Sequence, residues 1–281
     1  IAFLSECLEK YHSQKVIILL DEYDVPLENA YFNGFYDEMV SFIRSLFESA
    51  LKTNESLKMA VVTGCLRVSK GSIVTGLNNL KIVSILDGDY AEYFGFTQKE
   101  VESFLEAYGL VGRAGEVKEW YDGYLFGHVE VYNPWSVINY VSDTVYGNTE
   151  FPKPYWSNTS SNSIVRELIE NADDKTKHEL EELIAGRTIE KPVHEDITYG
   201  DIHKSQDNLW NFLFFTGYLK AVKKKIMERQ MYLSMKIPNE EILYVYENTI
   251  KEWFNDRIKA ADFSGLYEAV INGDTETFES C

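Results

Sequence analysis

"KVIILLDEYDVP", residues 15–26, runs an unbroken aliphatic segment straight into three carboxylates within four positions. Continuous Val, Ile and Leu are what a strand buried on both faces of a parallel sheet looks like, so residues 16–20 read as such a strand. Ionised carboxylates are costly to bury, so Asp21 and Glu22 mark its carboxyl end. "MAVVTG", residues 59–64, repeats the form: an apolar run that ends in a polar residue, Thr63. It reads as a second strand over 59–63. Between the two, Phe35, Met39, Phe42, Ile43, Leu46, Phe47, Ala50 and Leu51 fall at helical spacing, which predicts one amphipathic crossover helix over 31–52. "KIVSIL", residues 81–86, reads as a third strand. Strands alternating with a helix predict an α/β unit.

Beyond Asp87 the pattern becomes mainly helical. Thr97 and Glu100 form a T-x-x-E capping box at the head of a helix that should end near Gly109. Asn133 and Pro134 supply an N-cap and an N1 proline for another. "FPKPYWSNTSSN", residues 151–162, reads as a connector, followed by helices over 163–171 and 175–185. A helix over 208–215, strands over 218–222 and 230–237 and a helix over 239–258 follow the order of a winged-helix unit. The expected fold is therefore α/β followed by mainly α.

The chain has 281 residues, 45% of them hydrophobic, enough for a sizeable core. Lys and Arg number 27 against 45 Asp and Glu, a formal charge of -18, which argues against the whole chain wrapping a phosphate backbone. The exception is local. "YLKAVKKKIMERQMYL", residues 218–233, gathers Lys220, Lys223, Lys224, Lys225 and Arg229 where a turn between two strands is expected. Two readings stand: a solvated hairpin tip that keeps strands from mispairing, or a wing in which Lys223, Lys224 and Lys225 make weak, sequence-independent DNA contact.

Cys7, Cys65 and Cys281 are widely spaced and in no metal-ligand pattern, which fits a reducing compartment. No apolar run approaches a membrane span and no leader opens the sequence, so the location expected is cytoplasmic, with no membrane partner. Helical spacing begins at Ile1, as if the sequence started in mid-domain. His194 and His203 are too far apart for a helical metal pair and lack a third ligand. No Ser-His-Asp or Cys-His motif is recognisable.

Two strand ends carry the candidate chemistry. In nucleotide hydrolases of the P-loop type, an acidic residue at a strand's carboxyl edge orients magnesium, a following Glu polarises the attacking water, and the neighbouring strand offers a polar sensor of the γ-phosphate. Asp21, Glu22 and Thr63 stand at those positions. The alternative for the acidic pair is the start of a solvated loop.

"LLDEYDVPL", "VVTGCLRVSKGSIVTGLNNL", "YFGFTQKEV", "WYDGYLFG", "VYNPWSVINYV", "YWSNTSSNSIV", "LFFTGYL" and "KIPNEEI" together resemble the predicted AAA-ATPase-like family of bacterial proteins. The resemblance runs from about residue 15 to 253. It implies an ATPase core over 1–90 with a partial P-loop-like parallel sheet, a helical region over 91–200, a winged-helix-like unit over 201–260, and a linker over 261–281 toward a PD-(D/E)XK nuclease-like domain. It also implies ATP and Mg2+ in an intact parent. Asp21 would hold the metal, Glu22 would be the general base and Thr63 the sensor. Arg67 would reach the γ-phosphate or else form a surface salt bridge. Asp24 matches the family's "DEYD" beside the cofactor and reads as a loop-anchoring carboxylate.

Two family features are not found in the sequence: a G-x-x-x-x-G-K-[ST] phosphate loop and the nuclease-like domain. "VSKGS", residues 68–72, has the wrong order to replace the loop. The expectation is a fragment whose partners are an N-terminal phosphate-loop segment and a C-terminal nuclease-like domain. It should hold no nucleotide tightly and should self-associate through residues 1–60. The alternative is a non-catalytic, protein- or DNA-binding regulatory module with a vestigial ATPase site.

Overall fold

A computed structural model describes residues 1–66, 80–156, 163–170 and 172–260, a mixed α/β arrangement. Helix α1, Ala2–His12, leads through Ser13 into strand β1, Val16–Leu20. Strand β2, Leu57–Val62, lies parallel to it, with Ile18 opposite Ala60 and Leu20 opposite Val62.

The crossover between them is two helices, not the single one predicted over 31–52. Helix α2 spans Val25–Phe32 and α3 spans Tyr36–Phe47, ending in a π turn, Glu48–Lys52. The break has a local cause. Gly34 sits at φ +79°, and the amides of Gly34 and Phe35 fold back onto the carbonyls of Tyr31 and Ala30 at 3.3 and 3.0 Å. This pair of bonds closes a helix C-terminus, and glycine supplies the left-handed conformation it needs.

The strand expected over 81–86 is not formed. The Ser84 amide donates to the Asp87 carboxylate at 2.8 Å, the Asp87 amide returns to the Ser84 carbonyl at 3.0 Å, and the Ser84 hydroxyl accepts from the Leu86 amide at 3.2 Å. A Ser and an Asp three apart satisfy the backbone as a turn and leave no ladder for a strand.

Residues 96–145 form a second small assembly. Strand β3 (Phe96–Thr97), helix α4 (Gln98–Ala107), helix α5 (Ala114–Tyr121), strands β4 (Tyr124–Phe126) and β5 (Val129–Tyr132) and helix α6 (Pro134–Val145) follow in order. The expected capping box is present: the Thr97 amide donates to Glu100 at 2.8 Å and the Glu100 amide to Thr97 at 3.4 Å. Asn133 caps α6 as its side chain accepts from the Trp135 amide at 3.0 Å. This stretch, read from sequence as helical, also holds an antiparallel sheet in the order β3-β5-β4.

Helices α7 (Ser163–Glu170) and α8 (Asp174–Ile184), strand β6 (Ile189–Pro192), helix α9 (Gln206–Phe215), strands β7 (Lys220–Met227) and β8 (Gln230–Lys236) and helix α10 (Glu240–Ala260) complete the described chain. Their antiparallel sheet has the order β6-β8-β7. The turn of the β7–β8 hairpin is Glu228–Arg229, both at positive φ, the conformation that a two-residue hairpin turn requires. Lys223, Lys224 and Lys225 therefore lie inside strand β7 and not at the turn.

Among the described residues there are two cores. Ile18, Leu27 and Phe47 share one with Leu183, Trp210, Phe214, Met235 and Tyr246, so the first strands pack with the last third of the chain. Val101, Leu105, Val117, Tyr121, Val137 and Tyr140 form the other. A buried polar joint ties them: Glu241 at the head of α10 accepts from the Ser136 hydroxyl of α6 at 2.8 Å and from the Trp156 amide at 2.9 Å. Beside it, the Asn239 side chain donates to the Asp122 carbonyl at 2.8 Å. Among the described residues no helix is long and apolar enough to cross a membrane.

Candidate functional site

The parallel ladder brings the two strand ends together. The Thr63 amide donates to the Leu20 carbonyl at 2.9 Å, and the Tyr23 amide to the Thr63 carbonyl at 3.0 Å, so pairing continues one step past the last strand residues. Asp21 and Thr63 are thereby neighbours, and the Thr63 hydroxyl donates to the Asp21 carboxylate. The same hydroxyl oxygen accepts from the Glu22 amide at 3.3 Å. One hydroxyl thus fixes the Asp21 carboxylate and the Glu22 backbone at once.

Glu22 sits at φ +50°. A non-glycine residue in the left-handed region carries strain of about 1–2 kcal/mol, and such strain persists where neighbours enforce it. Here the ladder bonds of Thr63 on one side and the start of α2 on the other hold it. Both Asp21 and Glu22 are exposed, side by side on the carboxyl edge.

Asp24 has a different task. It is 3% exposed, and one carboxylate oxygen accepts the amides of Cys65 and Leu66 at 2.9 and 3.0 Å. Burial pushes its carboxyl above the ordinary value, and those amides draw it part of the way back. It ties the loop after β2 to the loop after β1. Tyr23 adds a second tie, its hydroxyl donating to the Leu66 carbonyl at 2.5 Å. Gly64 lets the two loops meet: a Cβ there would lie 2.5 Å from the Tyr23 ring and 2.7 Å from Asp24 Oδ1. Sequence reading passed over Gly64 and Tyr23. The "TG" pair after a buried strand was their only signal, and a glycine's close approach is invisible until its neighbour is known. Arg67 and "VSKGS" lie outside the described residues.

Among the described residues, no three His, Cys, Asp or Glu side chains converge as a metal-ligand set. Asp21 still suits a hard cation bound in part by other ligands. One carboxylate oxygen is engaged by Thr63 and the group is exposed, and Mg2+ is commonly held by one or two carboxylates with waters and substrate phosphates.

Comparison with known proteins covers this edge. Residues 1–74 match the predicted AAA-ATPase family model. That span contains both strands and all five candidate residues. Over 247 residues, 86% of its length, the chain is also 26% identical to an uncharacterized protein in the vnfD 5' region of Azotobacter chroococcum mcd 1. It spans 44% of that relative's length. No solved structure matches the chain. The strand-end carboxylates therefore lie in the segment that matches the family model.

Proposed function

We propose that the β1–β2 edge is the water-activating half of an ATP-hydrolysing site that works in a longer parent protein. The observation that carries this reading is the hydrogen-bonded pair of Asp21 and Thr63 on adjacent parallel strand ends, with Glu22 strained into place beside them. Ligands of open parallel sheets sit at the carboxyl edge, and phosphoryl transfer needs little from a protein beyond positioning and charge. A magnesium nucleotide bound there would supply the phosphate electrophile. Asp21 would face the metal through the oxygen that Thr63 does not engage, and Glu22 would accept the proton of the attacking water.

In this reading Thr63 has two tasks in sequence. Its hydroxyl proton is committed to Asp21, so it first positions the carboxylate; sensing a phosphate would require the proton to turn to the new acceptor. The β7–β8 hairpin with α9 is read as a winged-helix-like unit, and a nuclease-like domain as the parent's effector. A second reading, a non-catalytic module with a vestigial site, is favoured by one observation: the 281 residues contain no G-x-x-x-x-G-K-[ST] loop.

Phosphate release by the full-length parent and by this chain tests the proposal. The chain alone should release none above background, because its sequence has no G-x-x-x-x-G-K-[ST] loop to cradle the phosphates. In the parent, Glu22→Gln should keep nucleotide binding and lose turnover by about two orders of magnitude or more, as expected for a group that acts in the transition state. Wild-type turnover in Glu22→Gln would refute the assignment. Joint loss of binding and turnover would make Glu22 structural.

A further inference from the structure

The β6-β8-β7 sheet has one face in the core and one that is open to solvent at Lys223 and Lys225 and packs near Gly123 at Lys220. Leu233 and Met235 of β8 are buried, so Tyr232, Ser234 and Lys236 point outward. Directly opposed residues of an antiparallel pair share a face. On β7, Lys225 lies opposite Tyr232, Lys223 opposite Ser234, and Lys220 opposite Lys236. A bulge between Ala221 and Lys223 makes this possible. Strict alternation would have sent Lys220 and Lys223 to opposite faces, and the extra residue, Val222, resets the phase.

We propose that this outer face is a contact surface for a nucleic-acid phosphate backbone. Lysines on β7 alone would have a simpler explanation, since β7 is an edge strand and edge lysines discourage mispairing. That explanation does not reach Lys236, which lies on the central strand. Nor does it account for Lys220 and Lys236 standing directly across from one another, where like charges cost stability. Burial first and the Lys236 charge second lower the Lys220 ammonium, while Glu130 and Asp122 oppose the shift. Such a concentration in a chain of formal charge -18 is a local reversal of sign.

The charges are available. Among the described residues, Lys223 and Lys236 have no acidic partner within ion-pair distance; Lys225 meets only Glu190, at 3.5 Å across a half-exposed pair worth little. Lys223 and Lys225 stand about 7 Å apart along a rigid strand. A row of point charges with no arginine fork and no pocket suits a repeating anion better than a single carboxylate or phosphate. The acidic remainder of the surface would repel the same polymer and leave this face as the approach. The proposal does not depend on the ATPase reading.

The test is anisotropy of a labelled duplex of about 20 bp, titrated with the chain across a range of salt. Wild type should bind at low salt and weaken steeply as salt rises. Lys223→Gln/Lys225→Gln/Lys236→Gln should lower the log–log salt slope by about 2–3 and low-salt affinity by at least about tenfold, with an unchanged circular dichroism spectrum. Lys52→Gln/Lys99→Gln/Lys175→Gln removes as many exposed charges elsewhere and should change neither. If the first triple variant fails to fold, Lys223→Gln alone should lower the slope by about 1. No salt-sensitive binding, or equal loss in both triple variants, overturns the proposal. So does displacement of the duplex by polyglutamate at equal charge, or binding of anionic vesicles through these lysines in place of DNA.

Discussion

Gly64 is specified by its neighbours. Its backbone is not in the left-handed region, yet a single added methyl would meet the Tyr23 ring and the Asp24 carboxylate at distances no real Cβ tolerates. Those two side chains cannot yield easily, because each also holds the loop after β2: Tyr23 through the Leu66 carbonyl, Asp24 through the amides of Cys65 and Leu66. Gly64→Ala is therefore expected to cost about 1–3 kcal/mol, the range of overpacking a filled site, read as a lower urea midpoint at unchanged slope. An unchanged midpoint would mean that the loops separate without penalty. The candidate site was legible here because acidic and hydroxyl side chains interrupt apolar runs. Tyr23 and Gly64 were not, because their importance is a distance between two loops 41 residues apart.

Helices α6 and α10 meet through one carboxylate. Glu241 is fully buried and accepts only neutral donors, the Ser136 hydroxyl and backbone amides, so desolvation dominates and raises its carboxyl from 4.5 to about 7. The folded protein thus holds this proton more tightly than the unfolded chain does. Its contribution to stability is fully present below about pH 4.5, declines as pH rises toward 7, and levels off above that, by about 3 kcal/mol in all. Glu241→Gln keeps the shape and cannot ionise, so the decline between pH 5 and 7 should flatten. The variant should equal or exceed wild type in stability at pH 8. Chemical denaturation at pH 5, 6, 7 and 8 reads this directly, and parallel pH profiles for the two proteins would refute it. Ser136, Asn239 and Glu241 all sit in motifs that carried the family resemblance, but composition and spacing assigned them no chemistry.

At the scale of the molecule, the sheet at the start of the chain leaves apolar side chains exposed among the described residues. A parallel sheet is normally covered on both faces; among the described residues, one face of β1 joins the core through Ile18, with Val40, Ile43 and Phe47 of α3. On the other, Ile17, Leu19, Met59 and Val61 are exposed, Leu19 by 72%, and Phe3 on α1 by 78%. Such a surface favours association, while a charge of -18 opposes it by repulsion. Self-association through this face should therefore strengthen as salt screens the charge. This is the opposite trend from contact with DNA. Leu19→Lys/Val61→Lys should abolish it, and sedimentation equilibrium at low and high salt measures both effects. A wild type that stays monomeric throughout would refute the expectation.

Strand β1, strand β2, the Thr97–Glu100 capping box and the Asn133–Pro134 helix start were legible in the sequence because each is written in adjacent residues: an apolar run, a capping spacing, a proline at a helix head. The break at Gly34 and the turn at Ser84 and Asp87 are also local, but helical and apolar patterns overrode their weaker signals. The phase of the lysines on β7 lay beyond any pattern, since one bulged residue decides which face they share. The same holds for the larger core, where Ile18 and Phe47 pack with Trp210 and Met235. Side-chain periodicity says which residues of an element are buried. Only the tertiary structure decides against what, because that depends on how distant elements pack and on where a strand's register slips.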